Sequence, residues 1–131
     1  MLLDTSGLLC CLDSSEKRHQ AAVRLYSEAS RRLTHNYVLA VFFSNTPVHR
    51  VIYKPSLQFV TQLANDADIE MVWVDRELHD AGLKLLQAQS DKAYSLCDAV
   101  SMALMKREGI MQALTTDRHF EQAGFDRLLD G

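Results

Sequence analysis

A three-layer α/β/α sandwich with a mostly parallel central sheet is the fold class this chain predicts, and three features predict it. Short apolar segments of strand character alternate with amphipathic helical stretches from one end of the sequence to the other. That alternation calls for crossover connections and a sheet covered on both faces. Two of the strand-like segments run out into aspartates, Asp4 and Asp117, as expected where strands deliver polar groups to the carboxyl edge of a sheet. Finally, no repeat, low-complexity tract or Pro/Gly/Ser-rich linker divides the chain, so residues 1–131 read as a single domain. A hydrophobic content of 47% with 24% charged residues is ordinary for a globular domain with a real core, and excludes disorder.

The elements follow in order. Residues 1–4 read as a short buried strand ending at Asp4, and Thr5, Ser6 and Gly7 behind it have turn chemistry. From Glu16 to about Arg31, Ala22, Leu25, Tyr26 and Ala29 recur at helical spacing. Lys17, Arg18, Arg31 and Arg32 read as the polar face of that helix. Arg32–His35 fits a short strand, and Tyr37–Phe43 starts a second apolar helix. Asn45 and Pro47 should break it, since proline lacks a donor and clashes with the preceding turn. Ile69–Val74, β-branched and aromatic, is the clearest strand, with Trp73 expected in the core and Asp75 as an N-cap. Leu78, Ala81, Leu85 and Ala88 share one face of the next helix. Ser95–Glu108 is another, with Met102 and Met105 as packing residues and Gly109 as its stop. Met111–Thr115 is the next strand. Arg118–Ala123 is a short helix closed by Gly124, and Arg127–Leu129 fits a last short strand.

Charge and cysteine usage narrow the function. A formal net charge of -3 argues against a strongly basic nucleic-acid scaffold. It leaves nucleic acid open as a substrate, because a local basic rim or a basic partner can supply the field. Cys10, Cys11 and Cys97 have no CxxC spacing, which excludes a disulfide framework and a zinc ribbon and fits a reducing cytosol. The first acid falls at position four, unlike a signal peptide, and the apolar runs are too short to span a bilayer. The expected address is cytoplasmic, with no membrane association.

Three acids carry the chemistry. Asp4, Asp98 and Asp117, drawn from both ends of the chain, suit the oxygen coordination of a divalent cation if the fold brings them together. Such a carboxylate cluster in a small α/β domain points to phosphodiester hydrolysis. Each acid also admits a local role. Asp4 fits a turn cap, Ser95-x-x-Asp98 has the spacing of a capping box, and Asp117 fits the N-cap of the short helix after it. Ser95 and Thr116 are polar neighbours suited either to orienting water or to capping. Arg118 and His119 suit phosphate contact or plain solvation, and His19, His35 and His119 read as surface or half-buried residues.

Four segments together resemble the PIN domain family, in particular its VapC-type toxin ribonucleases. Leu3-Asp4-Thr5-Ser6 is similar to the family's opening strand and first acid, and Ser95-Leu96-Cys97-Asp98-Ala99 to its central motif. Leu114-Thr115-Thr116-Asp117-Arg118-His119-Phe120 with Ala123-Gly124-Phe125 is similar to its closing motif. Thr34–Ala40 resembles the stretch leading to the family's second acid, yet Val41 stands where the family places a glutamate. The resemblance implies a PIN-like sandwich and a metal-dependent endoribonuclease acting as the toxin of a toxin–antitoxin pair. By that resemblance, Asp4, Asp98 and Asp117 hold Mg²⁺ or Mn²⁺, and RNA is cut by a metal-activated water. The implied partners are the RNA substrate, a VapB-like antitoxin protein and a second copy of the chain in a homodimer. The departure at Val41 motivates an alternative, a catalytically degenerate PIN-like module that binds RNA or protein. A phosphatase-like hydrolase with an aspartate nucleophile is weaker still, since no motif for its lysine partner is present.

Overall fold

The computed structural model describes residues 1–45 and 53–130. Five strands, β1 (Leu2–Leu3), β2 (Leu33–His35), β3 (Glu70–Val72), β4 (Gln112–Leu114) and β5 (Asp126–Arg127), form one sheet in the order β3-β2-β1-β4-β5. Every pairing is parallel, with Leu2 opposite both Leu33 and Ala113. The chain builds outward from β1 through β2 to β3, then crosses back to lay β4 and β5 on the other side. The order therefore reverses between β1 and β4, where an open parallel sheet leaves a crevice at its carboxyl edge.

Leu2 and Leu3 show how the strands divide the core. Successive strand residues face opposite sides of a sheet, and both leucines are fully buried. Leu2 packs with Leu33, Leu78, Val100 and Met105, beneath α5 (Arg76–Ala88) and α6 (Leu96–Glu108). Leu3 packs with Leu8, Val38, Phe42 and Leu114, beneath α1 (Thr5–Leu12) and α3 (Asn36–Asn45). With α2 (His19–Glu28), α4 (Tyr53–Asn65) and α7 (Arg118–Gln122), these complete the expected three layers among the described residues. Met102 and Met105 are fully buried, as packing residues should be.

Several local expectations change. Thr5-Ser6-Gly7 opens α1 directly from an extended Asp4 instead of forming a turn. The second helix starts at His19 and ends at Glu28, so Arg31 and Arg32 lie beyond it. Arg31 instead joins Glu70 at 2.6 Å and Glu108 at 2.7 Å, while Arg32 lies 4.9 Å over the Tyr26 ring. Trp73 is 66% exposed because β3 is an edge strand and stops at Val72. Asn45 is still helical, and the break expected at Pro47 lies outside the described residues.

His35 is fully buried instead of near the surface. Its Nε2 lies 2.7 Å from Ser101 Oγ, and desolvation pushes its pKa down to about 4. Between about pH 6.5 and about pH 4 the unfolded chain therefore takes up a proton that the folded chain refuses. Stability is fully present above that window and falls through it as pH drops, by about 3 kcal/mol in all. Urea unfolding across this range should show that loss in the wild type and a smaller one in His35→Gln. Parallel curves would remove His35 as the cause.

Candidate metal centre

Asp4 leaves β1 with an extended backbone, and its carboxylate is almost fully buried. Thr115 Oγ1, at the end of the adjacent β4, donates to Asp4 Oδ2 at 2.7 Å. The same hydroxyl accepts from Asp117 N at 3.0 Å and lies 3.1 Å from Ser6 Oγ, which accepts from Thr116 N at 2.9 Å. These bonds lock the exits of β1 and β4 together. Burial pushes the Asp4 pKa up to about 6, the Thr115 bond opposes that rise, and the charges of Asp98 and Asp117 add to it. The three aspartates therefore sit within electrostatic reach of one another.

Asp98 stands in the first turn of α6 as the reciprocal half of a capping box. Its N–H donates to Ser95 Oγ at 3.0 Å, and its Oδ2 accepts from Ser95 N at 3.2 Å. The capping role and the cleft position coexist, because Asp98 also lines the crevice. Asp117 caps α7, its Oδ1 accepting from His119 N at 2.9 Å. His119 then turns its Nδ1 toward both acids, 3.3 Å from Asp98 Oδ2 and 3.5 Å from Asp117 Oδ1. One ligand atom from each of Asp98, Asp117 and His119 falls within 4.8 Å of the others. Asp4 lies on the same cleft but outside this tightest group.

The cleft has a volume of about 700 Å³. Asp4, Ser6 and Thr116 line it together with Ser95–Asp98, Asp117 and His119, and α3 contributes Val41 and Asn45. Position 41 thus lines the cleft and brings no donor to it. Cys97 shares the cleft, but burial, with Asp4 and Asp98 adding, pushes its thiol up to about 12, so it stays protonated. No lysine or arginine is among the described residues lining the cleft. Three carboxylates and an imidazole without a side-chain counter-charge suit a divalent cation in their donor chemistry.

Of the polar neighbours expected to touch water or phosphate, Ser95 spends its hydroxyl on the cap, and Thr116 reaches the cleft. Arg118 is exposed and lies off the cleft lining. The hydroxyls that hold the site together, Ser6 and Thr115, were not singled out from sequence. Their place beside the acids was the available signal.

Comparison with known proteins bears on the fold. The PIN domain matches residues 1–126 of the chain. Two curated relatives, the 23S rRNA-specific endonuclease VapC20 of Mycobacterium tuberculosis strains CDC 1551 and H37Rv, are each 28% identical over 129 residues, covering 95% of both chains. The crystal structure of Mycobacterium tuberculosis VapC20, described as a Sarcin-Ricin loop cleaving toxin, superposes with a TM-score of 0.87 at 25% identity, again covering 95% of each chain.

Proposed function

The chain belongs to the PIN domain family, and on that premise we propose that it is a metal-dependent endoribonuclease of the toxin type. The observation that carries this reading is the meeting of Asp4, Asp98 and Asp117 on one cleft at the point where the strand order reverses. A divalent ion there, Mg²⁺ or Mn²⁺, would polarise a phosphate and acidify a coordinated water. Asp4, Asp98 and Asp117, which line the one cleft, would hold it. Thr115 fixes the Asp4 carboxylate, Ser95 fixes that of Asp98, and the α7 backbone fixes that of Asp117. The reaction is hydrolysis of a phosphodiester by water, leaving a 5′-phosphate and a 3′-hydroxyl with no protein nucleophile.

The substrate class we assign is structured RNA with unstacked loop bases, which a protein can read on their exposed faces. The ribosomal RNA target of the M. tuberculosis relatives supports that assignment. A VapB-like antitoxin lying across the cleft and a homodimeric state complete the proposal. No helix among the described residues is long and apolar enough to cross a membrane. A catalytically degenerate binding module is the second reading, favoured by Val41 in the cleft wall.

Incubation of structured RNA with and without Mn²⁺, for the wild type and Val41→Glu, tests the two readings together. The wild type is expected to cut slowly at ordinary magnesium levels. Outer-shell partners alone are worth roughly 10–100-fold in metal affinity, so a restored carboxylate should tighten Mn²⁺ by about tenfold or more and raise cleavage with it. Equal affinity and rate in the two proteins would show that position 41 does not act on the centre. No cleavage by either would leave the binding module.

A further inference from the structure

We propose that His119 is a metal ligand in this chain through Nδ1, supplying a donor to a site where Val41 supplies none, and that it makes the centre selective for transition ions over Mg²⁺. The inference rests on the metal-dependent reading above.

Distance is the first argument. A good N–H···O bond spans about 2.7–3.2 Å. His119 Nδ1 stands just beyond that from two oxygens at once, in a long hydrogen bond of 3.3 Å to Asp98 Oδ2 and 3.5 Å from Asp117 Oδ1. Donor atoms sharing one ion with bonds of about 2.0–2.2 Å sit roughly 3.0–3.5 Å from each other. Both nitrogen–oxygen separations therefore match those of donors that share one ion.

The second argument is preorganisation. His119 lies in the first turn of α7, one residue past the helix's start and two past its cap Asp117. The Tyr94 ring meets the imidazole edge-on at 5.3 Å between centroids. Its two carboxylate neighbours are each held by a backbone N–H, from Ser95 and from His119 itself. All three donors are thus placed by the fold before any ion arrives.

The third argument is the chemistry of the set. Val41 contributes no donor, and Asp4 already accepts from Thr115 and lies outside the tight group. Without His119 only two clustered carboxylates remain. Mg²⁺ strongly prefers oxygen, whereas first-row transition ions accept imidazole, with affinity rising from Mn²⁺ toward Zn²⁺. Coordination through Nδ1 puts the ring proton on Nε2.

Isothermal titration of the full chain with Mn²⁺ and with Mg²⁺ tests the proposal, using wild type, His119→Gln and Asp98→Asn. His119→Gln should weaken Mn²⁺ on the order of tenfold while leaving Mg²⁺ within about twofold, and Asp98→Asn should remove both. In the ¹⁵N spectrum of the imidazoles, Zn²⁺ should shift His119 Nδ1 and leave Nε2 protonated. If Asp98→Asn removes Mn²⁺ binding but His119→Gln leaves both affinities unchanged, the histidine ligand is overturned and the acid site stands. Equal losses for the two ions overturn the selectivity. No binding of either ion by the wild type overturns the histidine ligand and the metal-dependent reading alike.

Discussion

Asp98→Asn should abolish RNA cleavage while barely changing the stability of the metal-free protein. Removing one group that stabilises charge in a reacting site commonly costs about 10²–10³-fold in rate, and Asp98 also belongs to the only tight donor cluster among the described residues. The structural cost is small for two reasons. Asparagine keeps an oxygen that can accept from Ser95 N, so the reciprocal bond of the capping box survives in part. An N-cap side chain is worth about 0.5–2 kcal/mol, and Asp98 is only its partner. Against that loss, the substitution relieves repulsion with Asp4 and Asp117, the same repulsion that helps to raise the Asp4 pKa. Thermal melts without metal and cleavage assays with Mn²⁺ decide between the roles. A large drop in melting temperature with intact cleavage would make Asp98 a helix cap and nothing more.

Gly7→Ala should be the most damaging single methyl in the protein. A Cβ there would lie 2.0 Å from the Leu114 carbonyl oxygen and 2.6 Å from its carbon. The obstacle is backbone of β4, which cannot rotate away as a side chain does. Overpacking usually costs about 1–3 kcal/mol, and more where the backbone must move, so a loss of at least about 3 kcal/mol is expected in urea unfolding. Pushing α1 off β4 would also break the Ser6 and Thr115 bonds beside Asp4, so activity should fall even where folding survives. Gly82→Ala is the control, because its Cβ meets a Val100 methyl at 2.8 Å and backbone only at 3.3 Å. It should cost clearly less. Equal costs would mean that α1 does not press on β4 as described.

These two residues also mark how far the sequence could be read. Asp98 was legible because its surroundings are local: the Ser95 cap, the helix it opens, and Gly109 ending that helix with φ at 68°. The Asp75 cap was legible for the same reason, accepting from Leu78 N at 2.8 Å. Helix α1 was not. It is apolar on nearly every side because it is buried, with Gly7, Leu8, Leu9 and Cys10 all inside, so no helical stripe survives to be seen. Helix α4 did carry a signal in Leu57, Val60, Leu63 and Ala64, and Pro55 in its first turns obscured it.

At the cleft, Asp4 and Asp117 were readable from their positions after strands and Asp98 from its place at a helix start. The partnership of Asp4 with Thr115, 111 residues away, depends on β1 lying beside β4 and has no local trace. The same holds for His119, whose approach to Asp98 joins two helices that are separate in sequence. Trp73 misled because its β-branched neighbours describe a strand, while only the sheet order tells that the strand is an edge.

End-group analysis of cleaved RNA tests the central claim most directly. Structured RNA incubated with the wild-type chain or Val41→Glu in Mn²⁺ should yield fragments with 5′-phosphate and 3′-hydroxyl ends, and none after EDTA or with Asp98→Asn. Cleavage that persists in EDTA and leaves 2′,3′-cyclic phosphates would contradict a metal-activated water held by Asp4, Asp98 and Asp117.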